Sequence, residues 1–174
     1  MTGIETERTV LRMFTMDDLD DLARIFGNPQ VMKYLGHTCE PIERDETEKA
    51  LASIINHWEK NGFGRWAVIS KVNNKLIGCA GLRSYEGTAE LVYLLDDSYW
   101  GKGLATEIAG KIIKYGFETR EFPQIIAMTR PGNAASRRVM DKLGMRFYKE
   151  DTIFDAFVVF YIISKEDYLQ NKSL

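Results

Sequence analysis

The stretch SYWGKGLATE, residues 98–107, sets Gly101 and Gly103 on either side of Lys102, soon after the apolar run LVYLL at 91–95. Glycine has the most backbone freedom to lose on folding, so a pair of glycines where a strand hands over to a helix needs an offsetting use. A helix N-terminus carries unpaired N–H groups and a partial positive charge, and it attracts an anion. With no Cβ in the way, a phosphate can approach that backbone closely. Gly101, Lys102, Gly103, Leu104 and Ala105, with Thr106 beside them, are therefore candidates to cradle a pyrophosphate. Two known phosphate loops are excluded: there is no GxxxxGK[ST], and no GxGxxG, because Thr106 stands at its final position. A plainer reading stays open, in which a tight strand-to-helix turn needs glycine for geometry alone.

The cysteines offer less. Cys39 and Cys79 form no CxxC motif and no disulfide framework, and neither has the nearby histidine pattern that activates a thiol. A reduced, cytoplasmic chain is the expectation. Lysine plus arginine is 23 against 25 for aspartate plus glutamate, a formal net charge of −2, which argues against nucleic-acid binding. No apolar run approaches the roughly 20 residues that span a bilayer, and MTGIETERTV has no apolar signal core. Neither a membrane nor a nucleic acid is an expected partner.

These residues need elements to position them, and 174 residues suit one domain over 1–174. RTVLRMF (8–14) alternates as a strand. In TMDDLDDLARIF, Thr15 and Asp18 have capping-box spacing, with Leu19, Leu22, Ala23 and Phe26 on one helical face. A second helix is expected from about Glu43 to Lys60, striped by Leu51, Ile54, Ile55 and Trp58 and ended at Asn61-Gly62. RWAVISK and KLIGCAGLR flank Asn73-Asn74 as a hairpin, and AELVYLL follows as a third strand. A helix from about Gly103 to Glu118 turns Leu104, Ile108, Ile112 and Ile113 inward. QIIAMT then reads as a buried strand, NAASRRVMDKLG as a capped helix, and MRFYKE and FVVFYIIS as closing strands. Antiparallel strands followed by a β-α-β crossover predict an α/β (α+β) domain with a mixed sheet.

In this context ELVYLLDDSYWGKGLATEIAGKII resembles the acetyl-CoA-binding motif of the GNAT N-acetyltransferase superfamily. TERTVLRMFTMDDLDDL, GRWAVISK with IGCAGLR, and NAASRRVMDKLGMRF are similar, in the right order, to parts of the branch containing the ribosomal-protein N-terminal alanine and serine acetyltransferases. The resemblance implies a GNAT fold: a mixed, mostly antiparallel six- to seven-stranded sheet with helices on both faces. It implies transfer of acetyl from acetyl-CoA to a primary amine, with a protein N-terminal α-amine as first choice of acceptor. A small amine (a polyamine, an amino acid or an aminoglycoside) is the alternative, and a non-catalytic acyl-CoA sensor a third reading. A monomer or a homodimer is expected. One departure is Trp100, which stands where the superfamily pattern has Arg or Gln; Trp is common there in this branch.

The resemblance also implies roles. A backbone N–H on the strand before the glycine loop polarises the thioester carbonyl, and Leu94 and Leu95 are the candidates. Glu90, at the start of that strand, matches a glutamate of the branch and could take the amine proton directly or through water. His37, in LGHTCEP, is a rival base. Asn133 reads as a helix N-cap and, by resemblance, bonds the pantetheine arm. Ser136 shares a helical face with Asn133 and can donate to the leaving sulfur, since Met140 occupies the place of the usual tyrosine acid. Arg138 could reach the cofactor's terminal phosphate, though a free surface charge reads as well.

Overall fold

Two short strands open the chain, β1 (Ile4–Glu5) and β2 (Thr9–Arg12), and β2 alternates as its sequence requires, with Thr9 and Leu11 inward and Val10 and Arg12 outward. The computed structural model describes residues 3–36 and 38–172, so His37 lies outside the described residues. Thr15 N–H donates to Asp18 Oδ2 at 2.9 Å, the return bond of a capping box that begins a 3-10 turn at Met16–Asp18. The turn runs into α1 (Leu19–Phe26), and a single further turn, α2 (Pro29–Met32), is capped by Asn28. Helix α3 (Arg44–Asn61) buries Leu51, Ile54 and Trp58, and Gly62 ends it in the left-handed conformation. Strands β3 (Arg65–Ser70), β4 (Leu76–Tyr85) and β5 (Thr88–Leu95) follow. Then come α4 (Leu104–Glu118), β6 (Gln124–Thr129) and α5 (Ala134–Lys142). Strands β7 (Arg146–Ile153) and β8 (Ala156–Ser164) form a hairpin, and α6 (Lys165–Lys172) closes the described chain.

The eight strands make one sheet in the order β1-β2-β3-β4-β5-β6-β8-β7. Every pairing is antiparallel except β5 with β6. The sheet thus has eight strands where six to seven were expected; the short β1 extends one edge. Helices pack on both faces. Leu22, Ile25, Leu51 and Ile54 of α1 and α3 meet Ala67, Ile69 and Cys79 on one face. Leu104, Ile108 and Ile112 of α4 and Met140 of α5 meet Val68, Leu91, Ile125 and Val159 on the other. Fully buried side chains such as Leu22, Ile25, Leu51, Ile108 and Ile112 each contribute roughly 1.5–3 kcal/mol by leaving water.

One pairing matters most for function. Strand β5 stays paired with β4 along its whole length, from Tyr85↔Thr88 to Gly78↔Leu95. With β6 it pairs only through Ala89↔Ile125 and Glu90↔Ile126. Beyond Glu90 the two parallel strands part, leaving one edge of residues 91–95 open beside the N-termini of α4 and α5.

Candidate active site

The glycine loop meets the physical requirements of an anion cradle. Gly101 and Gly103 sit at φ +71° and +76°, where an L side chain is strained. A Cβ on Gly101 would meet nothing within 4 Å, and one on Gly103 only Arg8 Nη2 at 3.7 Å, so conformation and not crowding calls for glycine. Gly103 is the N-cap of α4 and supplies no side chain to it. Glu107 N–H pairs with Gly103 O at 3.1 Å, so the N–H groups of Gly103, Leu104, Ala105 and Thr106 precede the first intrahelical bond and have no partner in the helix. Lys102 folds away from them: its Nζ donates to Ser98 O at 2.8 Å and lies over the Tyr99 ring.

The loop is braced from both ends. Arg8 Nη1 donates to Lys102 O at 2.7 Å, while Arg8 N and Nε donate to the two oxygens of Glu107 at 3.0 and 2.7 Å. Burial pushes the Glu107 carboxyl up, but bonds from Thr6 and Arg8 together bring it below its ordinary value. On the other side Trp100 Nε1 donates to Leu95 O at 2.8 Å, so the residue in the usual Arg or Gln position ties the loop back to β5. Arg24 of α1 pairs with Asp96, and Asn28, the cap of α2, donates through Nδ2 to Asp97 Oδ1 at 3.0 Å, joining both helices to the same turn.

Alternation along β5 fixes which groups face the opening. Asp96 N–H donates to Ile77 O at 2.8 Å, toward β4. By the period of two, Leu94 N–H also faces β4, while Leu95 and Tyr93 N–H face the edge that β6 leaves. Side chains alternate between the faces in the same way. Leu91, Tyr93 and Leu95 pack on the α4 side and Leu94 on the α1–α3 side, to which Glu90 also belongs. Glu90 and Ser136 are therefore not brought together; they flank β5 from opposite faces.

Ser136 lies on α5, whose N-cap Asn133 accepts from Ser136 N–H at 3.2 Å through its side-chain oxygen. Ser136 Oγ lies 2.8 Å from the hydroxyl of Tyr93, and Met140, one turn on, is buried in the core. Sequence reasoning assigned Tyr93 to the core strand and no more. Its signal was a lone phenol within an aliphatic run, since a buried tyrosine hydroxyl needs a polar partner. Arg138 is exposed on α5, whereas Arg137 Nε donates to Tyr161 OH at 3.1 Å.

Glu90 is 1% exposed and accepts from Arg83 Nε through Oε2 at 2.5 Å. Burial raises its pKa, and the opposing pull of Arg83 and Arg65 does not cancel that rise. Cys79 is buried and its thiol is pushed up to about 11, which leaves no thiolate at neutral pH. Cys39 sits half-buried in the loop before α3.

The arrangement combines an anion cradle, an open strand edge with free N–H groups, a hydroxyl pair on one face and a buried carboxylate on the other. Comparison with known proteins agrees with it. The chain matches the family described as an acetyltransferase (GNAT) domain over residues 8–146. It is 31% identical over 159 residues to an uncharacterized N-acetyltransferase, p20, of Bacillus licheniformis, covering 89% of this chain and 87% of that one. Its fold is similar to that of RimL, a ribosomal L7/L12 α-N-protein acetyltransferase solved with coenzyme A, at TM-score 0.81 and 14% identity over 94% and 98% of the two chains. It is also similar to an aminoglycoside acetyltransferase, AAC(6')-Ib, solved with coenzyme A, at TM-score 0.78 and 18% identity over 94% and 99%. The chain belongs to the GNAT acetyltransferases, as an enzyme that takes its acetyl group from acetyl-CoA.

Proposed function

We propose that the chain acetylates a primary amine and that its acceptor is the α-amine of a protein N-terminus. The observation that carries the reading is the parting of β5 from β6 beyond Glu90. It gives two approaches to one strand edge, the cofactor from the α4 and α5 side and the acceptor from the Glu90 side. Acetyl-CoA supplies an acetyl group already activated as a thioester. The N–H groups of residues 103–106 would hold its pyrophosphate, with Gly101 and Lys102 shaping the loop. Of the two leucines, Leu95 has the N–H that would polarise the carbonyl. Asn133 would contact the pantetheine arm, and Arg138 the terminal phosphate.

The amine must lose a proton to attack. Glu90 accepts it, directly or through water, and its raised pKa makes it a stronger base than an ordinary carboxylate. Ser136 donates a hydrogen bond to the sulfur as the C–S bond breaks.

The charges beside Glu90 bear on the acceptor. Arg83 bonds it and Arg65 acts on it, so its surroundings are cationic. A polyamine or an aminoglycoside carries several positive charges and would be repelled there, whereas a peptide N-terminus brings one. A small amine is the second reading, and among such amines the cationic surroundings of Glu90 favour one that carries a single charge, such as an amino acid. Mass spectrometry of whole-cell N-termini with and without the protein separates the two. The expected result is a set of N-terminal acetylations that vanish with the protein and return when purified enzyme is added to the matching peptides. Unchanged N-termini, with transfer to small amines alone, would overturn the choice of acceptor.

A further inference from the structure

The Tyr93 hydroxyl lies 2.8 Å from Ser136 Oγ and 3.2 Å from Ser136 O. The carbonyl belongs to the ladder of α5, whereas Oγ is the nearer atom and has lone pairs to offer. Each hydroxyl has one proton to give. If Ser136 donates to Tyr93, the serine proton is spent inside the protein. If Tyr93 donates to Ser136, the serine O–H is left to point elsewhere.

We propose that Tyr93 is a positioning residue, donating to Ser136 Oγ and so aiming the serine O–H at the sulfur that leaves the acetyl group. The proposal rests on the role given above to Ser136. The Tyr93 ring packs against the α4 cluster, a task phenylalanine would do as well. Its hydroxyl is what the packing does not need.

Tyr93 is not itself the acid. Burial pushes its phenol up to about 12, whereas an ordinary thiol titrates near 8.5. Outright transfer from Tyr93 to a thiolate would run uphill by roughly three to four orders of magnitude. A hydrogen bond needs no transfer. The C–S bond breaks with its electron pair on sulfur, the charge is shared through the Ser136 and Tyr93 hydroxyls, and both keep their protons. Water supplies the proton that completes the thiol. Met140 is 1% exposed, so the side chain one turn beyond Ser136 is packed in the core and offers no hydroxyl.

The test is a cycle of Tyr93→Phe, Ser136→Ala and the double variant. Tyr93→Phe should lower kcat about tenfold with the KM for acetyl-CoA nearly unchanged, because the interaction strengthens only as the sulfur gains charge. In the Ser136→Ala background it should cost nothing further. A second readout needs no turnover. Ultraviolet thiolate absorbance of bound CoA, followed against pH, gives the pKa of its thiol. That pKa should be lowest in the wild type, higher by about one unit in each single variant, and no higher in the double. A Tyr93→Phe variant with kcat and thiol pKa both unchanged overturns the proposal while leaving the role of Ser136 standing. A loss that persists in full without Ser136 also overturns it, since Tyr93 would then act through something else. Ser136→Ala with both readouts unchanged would overturn the role of Ser136 and the proposal together.

Discussion

Glu90 is buried against Arg83 at the start of β5, and the role proposed for it sets structure against chemistry. Burial favours its neutral form and outweighs the opposing pull of Arg83 and Arg65, so its folded pKa lies above the ordinary 4.5. A folded pKa above the unfolded one gives stability that is complete below 4.5 and is lost as pH rises through the folded value. Chemical denaturation should therefore show the stability of the wild type relative to Glu90→Gln falling with pH across that window, since the other carboxylates titrate alike in both proteins. Activity should run the other way: in the role proposed for Glu90 the ionised carboxylate takes the amine proton, so turnover should rise with pH over the same window. Near neutral pH, Glu90→Gln should lower kcat by about 10²-fold or more with CoA binding intact. Steady-state kinetics at wild-type rates would return Glu90 to a purely structural pairing with Arg83. Glu90 was legible in the sequence as a charge at a strand start, but its burial and its arginine were not. Arg83 lies on β4 and reaches Glu90 only through the register Arg83↔Glu90.

At the scale of elements, the cradle depends on what braces it. Arg8, just before β2, holds Lys102 O and Glu107 across 94 and 99 residues of sequence. Arg8→Ala should weaken CoA binding by about fivefold, since a half-exposed ion pair with added hydrogen bonds is worth ~1 kcal/mol. Calorimetric titration with CoA checks it, and an unchanged affinity would make the brace irrelevant to the loop. The helices with strong apolar stripes were readable. Helix α4 runs over Leu104–Glu118 with Gly103 as its cap, and α5 begins after Asn133, both as expected. The weak ones were not. Helix α6 has the sequence KEDYLQNK, too polar to show a stripe; what holds Tyr168 is the stacked Phe117 ring and a bond to Glu118 at 2.8 Å, both remote in sequence. Helix α2 is four residues long, shorter than any periodicity can reveal. The parting of β5 and β6 left no local mark, because QIIAMT and LVYLL each read as continuous buried strands whether or not they pair throughout.

For the whole molecule, the sheet sets Glu90 and Ser136 on opposite faces of β5, beside the edge that β6 leaves beyond Glu90. Because CoA binds the folded form alone, its affinity appears as stability. The measurement that tests the site most directly is a thermal-shift titration with CoA on the wild type and Gly103→Val in parallel. At a hundredfold excess over Kd the wild type should rise by roughly 5–10 °C, from ~2.7 kcal/mol of linkage in a chain of this size. Gly103→Val forces a β-branched side chain to φ +76°, where the loop cannot keep its shape, and it should show no rise while retaining its helix content by circular dichroism. A wild type that CoA leaves unmoved, or a Gly103→Val protein that rises with it equally, would contradict the placement of acetyl-CoA on this cradle.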